Sequence, residues 1–157
     1  MRRVVSLWLP TLATDRLRKH SATPPDSRPT IETTGDTRKR DEAAAAGDPP
    51  LVTFIHDGRR HVLAAVDTAA RAWGLSPGMA LTQARAMVPG LIVHPADPAG
   101  DAAALRRLAG WCLRYAPLVS VDPPDGLWID VTGSAHLFGG EAPLARDLVG
   151  RLRAQGL

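Results

Sequence analysis

The stretch VSVDPPDGLWIDVTG at residues 119–133 limits the fold more than any other. After a Pro-Pro break, Leu127, Trp128, Ile129 and Val131 suit a half-buried strand, which the Thr132-Gly133 pair ends. Side chains alternate along a strand, so Asp125 is expected on the face of Leu127 and Ile129, and Asp130 on the face of Trp128 and Thr132. Two acids on opposite faces do not readily hold one metal ion. On spacing alone, Asp125 closes a Pro-Pro-Asp-Gly turn and Asp130 sits at a solvated or hydrogen-bonded strand end.

At the amino terminus, Arg2-Arg3-Val4-Val5-Ser6-Leu7-Trp8-Leu9-Pro10 reads as a short buried strand stopped by proline. Residues 11–19 then predict a helix with Leu12 and Leu17 inward and Asp15, Arg16 and Arg18 outward. Residues 20–50 are rich in Pro, Thr, Asp, Gly and Ala, with hardly any large apolar side chain, and are expected to form a disordered or loosely held insertion.

Residues 51–55 and 61–66 are β-rich runs around His56-Asp57-Gly58-Arg59-Arg60, a hairpin with Asp-Gly at its turn. Short helices are predicted over residues 68–73 and 81–87, and a longer one from a cap at Asp101 to about Tyr115, with Leu105, Leu108, Cys112 and Tyr115 inward. The final helix starts near Glu141 and turns Leu144, Leu148 and Leu152 inward.

A chain of 157 residues with 45% hydrophobic content supports one ordinary domain, or one with a small appendage. No run is apolar and long enough to cross a membrane, and the basic start lacks the apolar stretch of a signal peptide, so a cytoplasmic protein is expected. A lone Cys112 gives no disulfide framework. His56, His61, His94 and His136 lack the spacing of zinc ligands. No G-x-S-x-G or phosphate-loop sequence occurs around Ser6, Ser120 or Ser134. The net charge is +3, and 17 of the 19 basic residues are arginine, which permits nucleic-acid contact without demanding it. Aromatic content is only 4%, and Trp8, Trp73, Trp111 and Trp128 lie in apolar elements, where they are expected to be core.

The 119–133 stretch resembles the strand on which Y-family translesion DNA polymerases carry an adjacent Asp-Glu pair followed by an apolar pair and Asp-Val-Thr. By that resemblance Asp125 matches the catalytic Asp, Gly126 stands where the Glu belongs, and Ile129-Asp130-Val131-Thr132 continues the motif. The family's first strand supplies another metal-binding Asp, where Ser6 falls here, and residues 1–14 hold no acid at all. Thr68-Ala69-Ala70-Arg71 stands where catalytic members carry a Tyr-x-x-Arg that grips the incoming triphosphate, so Arg71 survives and Thr68 replaces the Tyr. As an alternative, Arg71 is a solvated or salt-bridged helix arginine. The missing acids narrow the likeness to the ImuB-like branch of the family, and the match runs through Ser6-Leu7-Trp8-Leu9-Pro10, Ala64-Ala65-Val66-Asp67, Gly74-Leu75-Ser76-Pro77-Gly78-Met79, Ala84-Arg85-Ala86, His94-Pro95-Ala96-Asp97 and Asp125-Gly126 through Gly139-Gly140.

The resemblance implies a mixed α/β (α+β) fold: a ferredoxin-like polymerase palm with an inserted fingers subdomain, cut before the last palm strand, the thumb and the little finger. Residues 1–19 would be the first palm strand and helix, 20–50 the insertion, 51–100 the fingers-like part and 101–157 the rest of the palm. An edge of the palm sheet left unpaired in this way would invite self-association. The implied role is a non-catalytic scaffold in DNA repair, translesion synthesis and damage-induced (SOS) mutagenesis. Its implied partners are a RecA-like accessory protein, an error-prone replicative-type DNA polymerase and the sliding clamp, with DNA bound weakly. No metal and no cofactor is expected. Two other readings stay open: a residual metal-dependent nucleotidyltransferase using Asp125 with Asp122 or Asp130, and a pure protein-interaction domain.

Overall fold

A computed structural model of the protein describes residues 2–22 and 48–157, so the expected insertion falls, from 23 to 47, outside the described residues. In chain order the elements are β1 (Val4–Trp8), α1 (Leu12–Ala22), β2 (Leu51–His56), β3 (His61–Val66), α2 (Thr68–Ala72), α3 (Leu81–Met87), β4 (Ile92–Pro95), α4 (Pro98–Cys112), β5 (Leu118–Asp122), β6 (Gly126–Asp130), a 3₁₀ turn (Ala135–Phe138) and α5 (Glu141–Ala154). The mixed α and β architecture expected from the sequence is the one observed. The chain divides into two compact units, with the breaks inside α1 after Arg16 and again after Ala96.

The first unit is a three-stranded antiparallel sheet in the order β1-β6-β5. Its inner face carries Val5 and Leu7 from β1, Leu127 and Ile129 from β6, and Val119 and Val121 from β5. These pack with Leu105, Leu108 and Cys112 of α4, with Leu144, Leu148 and Leu152 of α5, and with Leu9 and Leu12. A short, strongly alternating sheet is stable only with one face covered, and the leucines at helical spacing on α4 and α5 supply that cover. Among the described residues the outer edges of β1 and β5 carry no further strand.

The long helix begins earlier than its sequence predicts. Asp97, not Asp101, is the cap: its Oδ1 accepts the Gly100 N–H at 2.9 Å, and Pro98 enters the first turn, where a missing N–H costs nothing. Asp101 instead accepts from Arg16 Nε at 2.8 Å, while Arg16 Nη2 lies 3.1 Å from Asp97 Oδ2. Arg16, expected to point outward, is therefore largely covered and ties α1 to the start of α4. A guanidinium fork between two carboxylates is geometry a lysine cannot reproduce.

Tyr115 closes the other end of the same helix. It is buried among Trp111, Phe138 and the α5 leucines, and its hydroxyl donates to Asp147 Oδ2 at 2.7 Å. Burial, and then the neighbouring carboxylate, push the phenol up to about 12. A group with a raised folded pKa adds stability that is fully present below its unfolded value and is lost as pH rises toward the folded one. Because the chain has a single tyrosine, its ultraviolet titration reads this site alone. The phenolate signal should rise near pH 12 in the folded protein and about two units lower in urea. Coincident titrations would contradict the burial.

The second unit holds the sheet β3-β2-β4, with β2 antiparallel to β3 and parallel to β4. The hairpin falls where Asp57-Gly58 predicts it: Gly58 has φ +93°, and Asp57 Oδ1 accepts the N–H groups of Arg59 and Arg60. Strand β4 was not predicted from the sequence, because four residues ending in proline carry no alternation; its pairing with β2 makes it a strand. Val52, Leu63, Val66, Ala70, Leu75, Leu81, Ala84 and Val88 form the core of this unit.

The expectation that the tryptophans are core is overturned for three of the four. Trp8, Trp73 and Trp128 are 68%, 56% and 45% exposed, and only Trp111 packs against a core, with the Arg114 guanidinium 4.3 Å from its ring centre. An apolar neighbourhood in sequence does not say which face of a strand a residue takes. Trp8 and Trp128 fall on the outer one.

Candidate functional site

The outer face of the first sheet collects the residues singled out from the sequence. Register places them in three rows across β1, β6 and β5: Val4, Asp130, Leu118; then Ser6, Trp128, Ser120; then Trp8, Gly126, Asp122. Ser6 and Gly126 thus stand on one face, on neighbouring strands and in adjacent rows. The structure brings together these two positions, with Asp125 one residue before the strand.

Asp125 does not share the face of Leu127, contrary to the alternation argument. Strand β6 starts at Gly126, so Asp125 belongs to the turn and is free of the pleat. Its carbonyl accepts the Leu9 N–H at 2.9 Å, and its Oδ2 accepts the indole N–H of Trp8 at 3.2 Å. The acid that the resemblance sets at the family's catalytic Asp thus accepts from a tryptophan of the outer face.

Gly126 is confined. A Cβ built there would lie 2.9 Å from the Asp122 carbonyl oxygen and 3.1 Å from the Asp122 Cβ. Part of that obstruction is backbone, which cannot swing aside, so a glutamate would not enter without moving the β5–β6 turn.

Asp130 is committed too. Its Oδ1 accepts the Thr132 N–H at 3.0 Å, and hydrogen bonds from the Thr132 side chain and then its backbone hold the carboxyl below the ordinary range. That is the hydrogen-bonded strand end expected for it. Asp125 precedes the five-residue strand and Asp130 ends it, about 16 Å away at the usual rise. Among the described residues no three His, Cys, Asp or Glu side chains converge to hold a metal ion.

Magnesium takes hard, mostly anionic oxygens in a tight octahedron. One hydroxyl, one carboxylate bonded to an indole and one crowded glycine do not fit the divalent pair of a phosphoryl-transfer centre.

Thr68 and Arg71 lie in the second unit, both exposed on α2 and three residues apart, hence neighbours on its surface. The residue that places this helix is Asp67, which sequence reasoning passed over as part of a motif. Although 4% exposed, it caps α2 by accepting the Ala70 N–H at 2.6 Å, accepts the Leu51 N–H at 3.1 Å, and takes a hydrogen bond from the Arg18 guanidinium. An Asp just before a helical run is a legible cap signal, whereas its burial and its partner in α1 are not. At the hairpin, the His56 and His61 rings meet edge to face at 5.2 Å, and Gly58 N–H donates to His56 Nδ1.

Comparison with known proteins shows the family and the fold. The sequence model of the impB/mucB/samB family (IMS) matches residues 40–156. The protein ImuB of Caulobacter vibrioides (strain NA1000 / CB15N) is 49% identical over 84 residues, which is 54% of this chain and 18% of that protein. DNA polymerase IV of Alkaliphilus oremlandii is 28% identical over 104 residues, covering 66% of this chain and 24% of the polymerase. The matched stretches thus span less than a quarter of the length of these relatives. Among solved structures, the post-insertion binary complex of Dbh DNA polymerase superposes with a TM-score of 0.65 at 17% identity, over 99% of this chain and 38% of that one. DinB from Sulfolobus solfataricus does so with a TM-score of 0.58 at 18% identity, over 87% and 33%. At such identities the superpositions speak for the fold, that of the Y-family polymerase palm and fingers. The sequence match runs over most of the chain, and the protein belongs to the impB/mucB/samB family.

Proposed function

We propose that this chain is a non-catalytic, Y-family-polymerase-like scaffold in DNA damage tolerance, serving translesion synthesis and damage-induced mutagenesis. The observation that carries the reading is the state of the palm face: at three positions where the family carries acids stand Ser6, an Asp125 that accepts the Trp8 indole N–H, and a Gly126 with no room for a side chain. Such a face retains the polymerase framework without the carboxylates that steady attacking and leaving oxygens. The 49% identity to ImuB supports the assignment, and the resemblance adds the partners: a RecA-like accessory protein, an error-prone replicative-type polymerase and the sliding clamp. Arg71 and Thr68 would give at most a weak phosphate contact, sensitive to salt.

Primer extension tests the reading. With magnesium or manganese, the protein should incorporate no nucleotide, and Gly126→Glu should not create activity, because the Asp122 carbonyl stands in the way. Incorporation that disappears in Asp125→Ala would replace this reading with a residual nucleotidyltransferase.

A further inference from the structure

The outer face of the β1-β6-β5 sheet has lost the features of a metal site and gained those of an interface. Val4, Trp8, Leu118 and Trp128 are 49%, 68%, 65% and 45% exposed on one three-stranded surface. Residues that small domains usually hide are here gathered together, and a contiguous apolar patch of this kind marks a surface meant to be covered. The pattern is relief rather than a flat smear. Trp8 and Trp128 are diagonal neighbours, while Ser6, Ser120 and Gly126 leave notches beside them.

Charge says what covers it. None of the nine register positions holds Lys or Arg; Asp122 and Asp130 are among them, and Asp125 joins them through Trp8, so the carboxylates outnumber Arg2, whose charge acts on Asp130 at the end of the sheet. Nucleic-acid affinity comes first from cations that neutralise phosphates, and this face would set carboxylates against them. The complementary partner brings its own cations to the acids and apolar side chains to the notches. An arginine can also lie over an exposed indole. The helices behind the sheet show the opposite character, with Arg106, Arg107, Arg146 and Arg153 exposed on α4 and α5.

We infer that the palm face is a protein-docking surface for a basic segment with apolar side chains, anchored on Trp8 and Trp128, with Asp125 kept as a positioning residue for Trp8. The inference rests on the non-catalytic reading of the same face and names the class of partner it receives. Asp125 contributes its hydrogen bond, which fixes the indole before the partner arrives and so reduces the ordering cost of binding. Tryptophans set in such surroundings dominate many interfaces, with acids at the rim setting partner choice.

A random-peptide phage library, selected on the protein and counter-selected on the Trp8→Ser/Trp128→Ser variant, tests this. The expected winners carry net positive charge and apolar residues, and synthetic copies should bind at least about tenfold more weakly to that variant, to Ser120→Arg and to Asp125→Ala. Asp125→Asn, which keeps an acceptor for the indole, should bind within about threefold of the unaltered chain. Because these positions lie outside the core, each variant should keep the circular dichroism spectrum of the unaltered protein and a cooperative melt lowered by no more than several degrees, which separates lost binding from lost folding. Acidic or neutral winners, or peptides held equally by the variants, would overturn the inference. So would a single-stranded oligonucleotide that binds this face and is released by the same substitutions. Primer extension decides the underlying reading independently: absent incorporation with failed selection removes only the docking surface, whereas Asp125-dependent incorporation removes the reading itself.

Discussion

Asp67→Ala should lower the stability of the second unit by about 3 kcal/mol. The carboxylate is nearly covered and has three donors: the Ala70 N–H at the head of α2, the Leu51 N–H at the head of β2, and the Arg18 guanidinium from α1. Removing it strands two backbone N–H groups in a region water does not easily refill, and leaves an arginine that is three-quarters covered without this anion. Loss of an N-cap alone would cost about 1 kcal/mol, so most of the effect comes from the buried partners. Arg18 also reaches the Pro49 carbonyl at 2.8 Å and Asp48 at 3.4 Å, which limits its own share. Hydrogen exchange of the β2 and β3 amides reads this unit directly. A loss below about 1 kcal/mol would mean that Asp67 acts as a cap and nothing more. Adding Arg18→Ala to Asp67→Ala should cost little further, since the two side chains share one interaction.

Leu127→Ala and Trp128→Ala, one residue apart on the central strand, should differ sharply. Leu127 is fully buried between α4, α5 and the neighbouring strands, and its truncation should cost about 3 kcal/mol through lost transfer energy and the cavity left behind. Trp128 is the larger side chain, yet it stands on the open face, and its truncation should cost about 1 kcal/mol or less. Urea unfolding of the two variants makes the comparison. Equal losses would mean that the outer face is covered in the folded protein.

Much of this was legible in the chain. Alternation assigned Leu127 and Ile129 to one face and Trp128 and Asp130 to the other, and helical spacing turned Leu144, Leu148 and Leu152 inward. Asp57-Gly58 marked the hairpin. The resemblance to Y-family polymerases located Ser6, Asp125 and Gly126, and the register places Ser6 and Gly126 on one face of neighbouring strands. The tryptophans misled because composition reports that a residue is apolar, not whether its face of the sheet has a helix against it.

Sequence alone determined the periodicities and the identities: which residues alternate, which recur every third or fourth position, and that the stretches resembling the family's acidic strands carry a serine, one aspartate and a glycine. Those are properties of neighbours along the chain, set by backbone geometry and side-chain type. Only the tertiary structure decided that Asp125 leaves the pleat to hold Trp8, that the Asp122 carbonyl closes the space at Gly126, and that Arg18 and Asp67 meet in a covered site. These depend on which strands lie side by side and which faces the helices cover. Distances between residues far apart in the chain follow from packing, which no local pattern encodes.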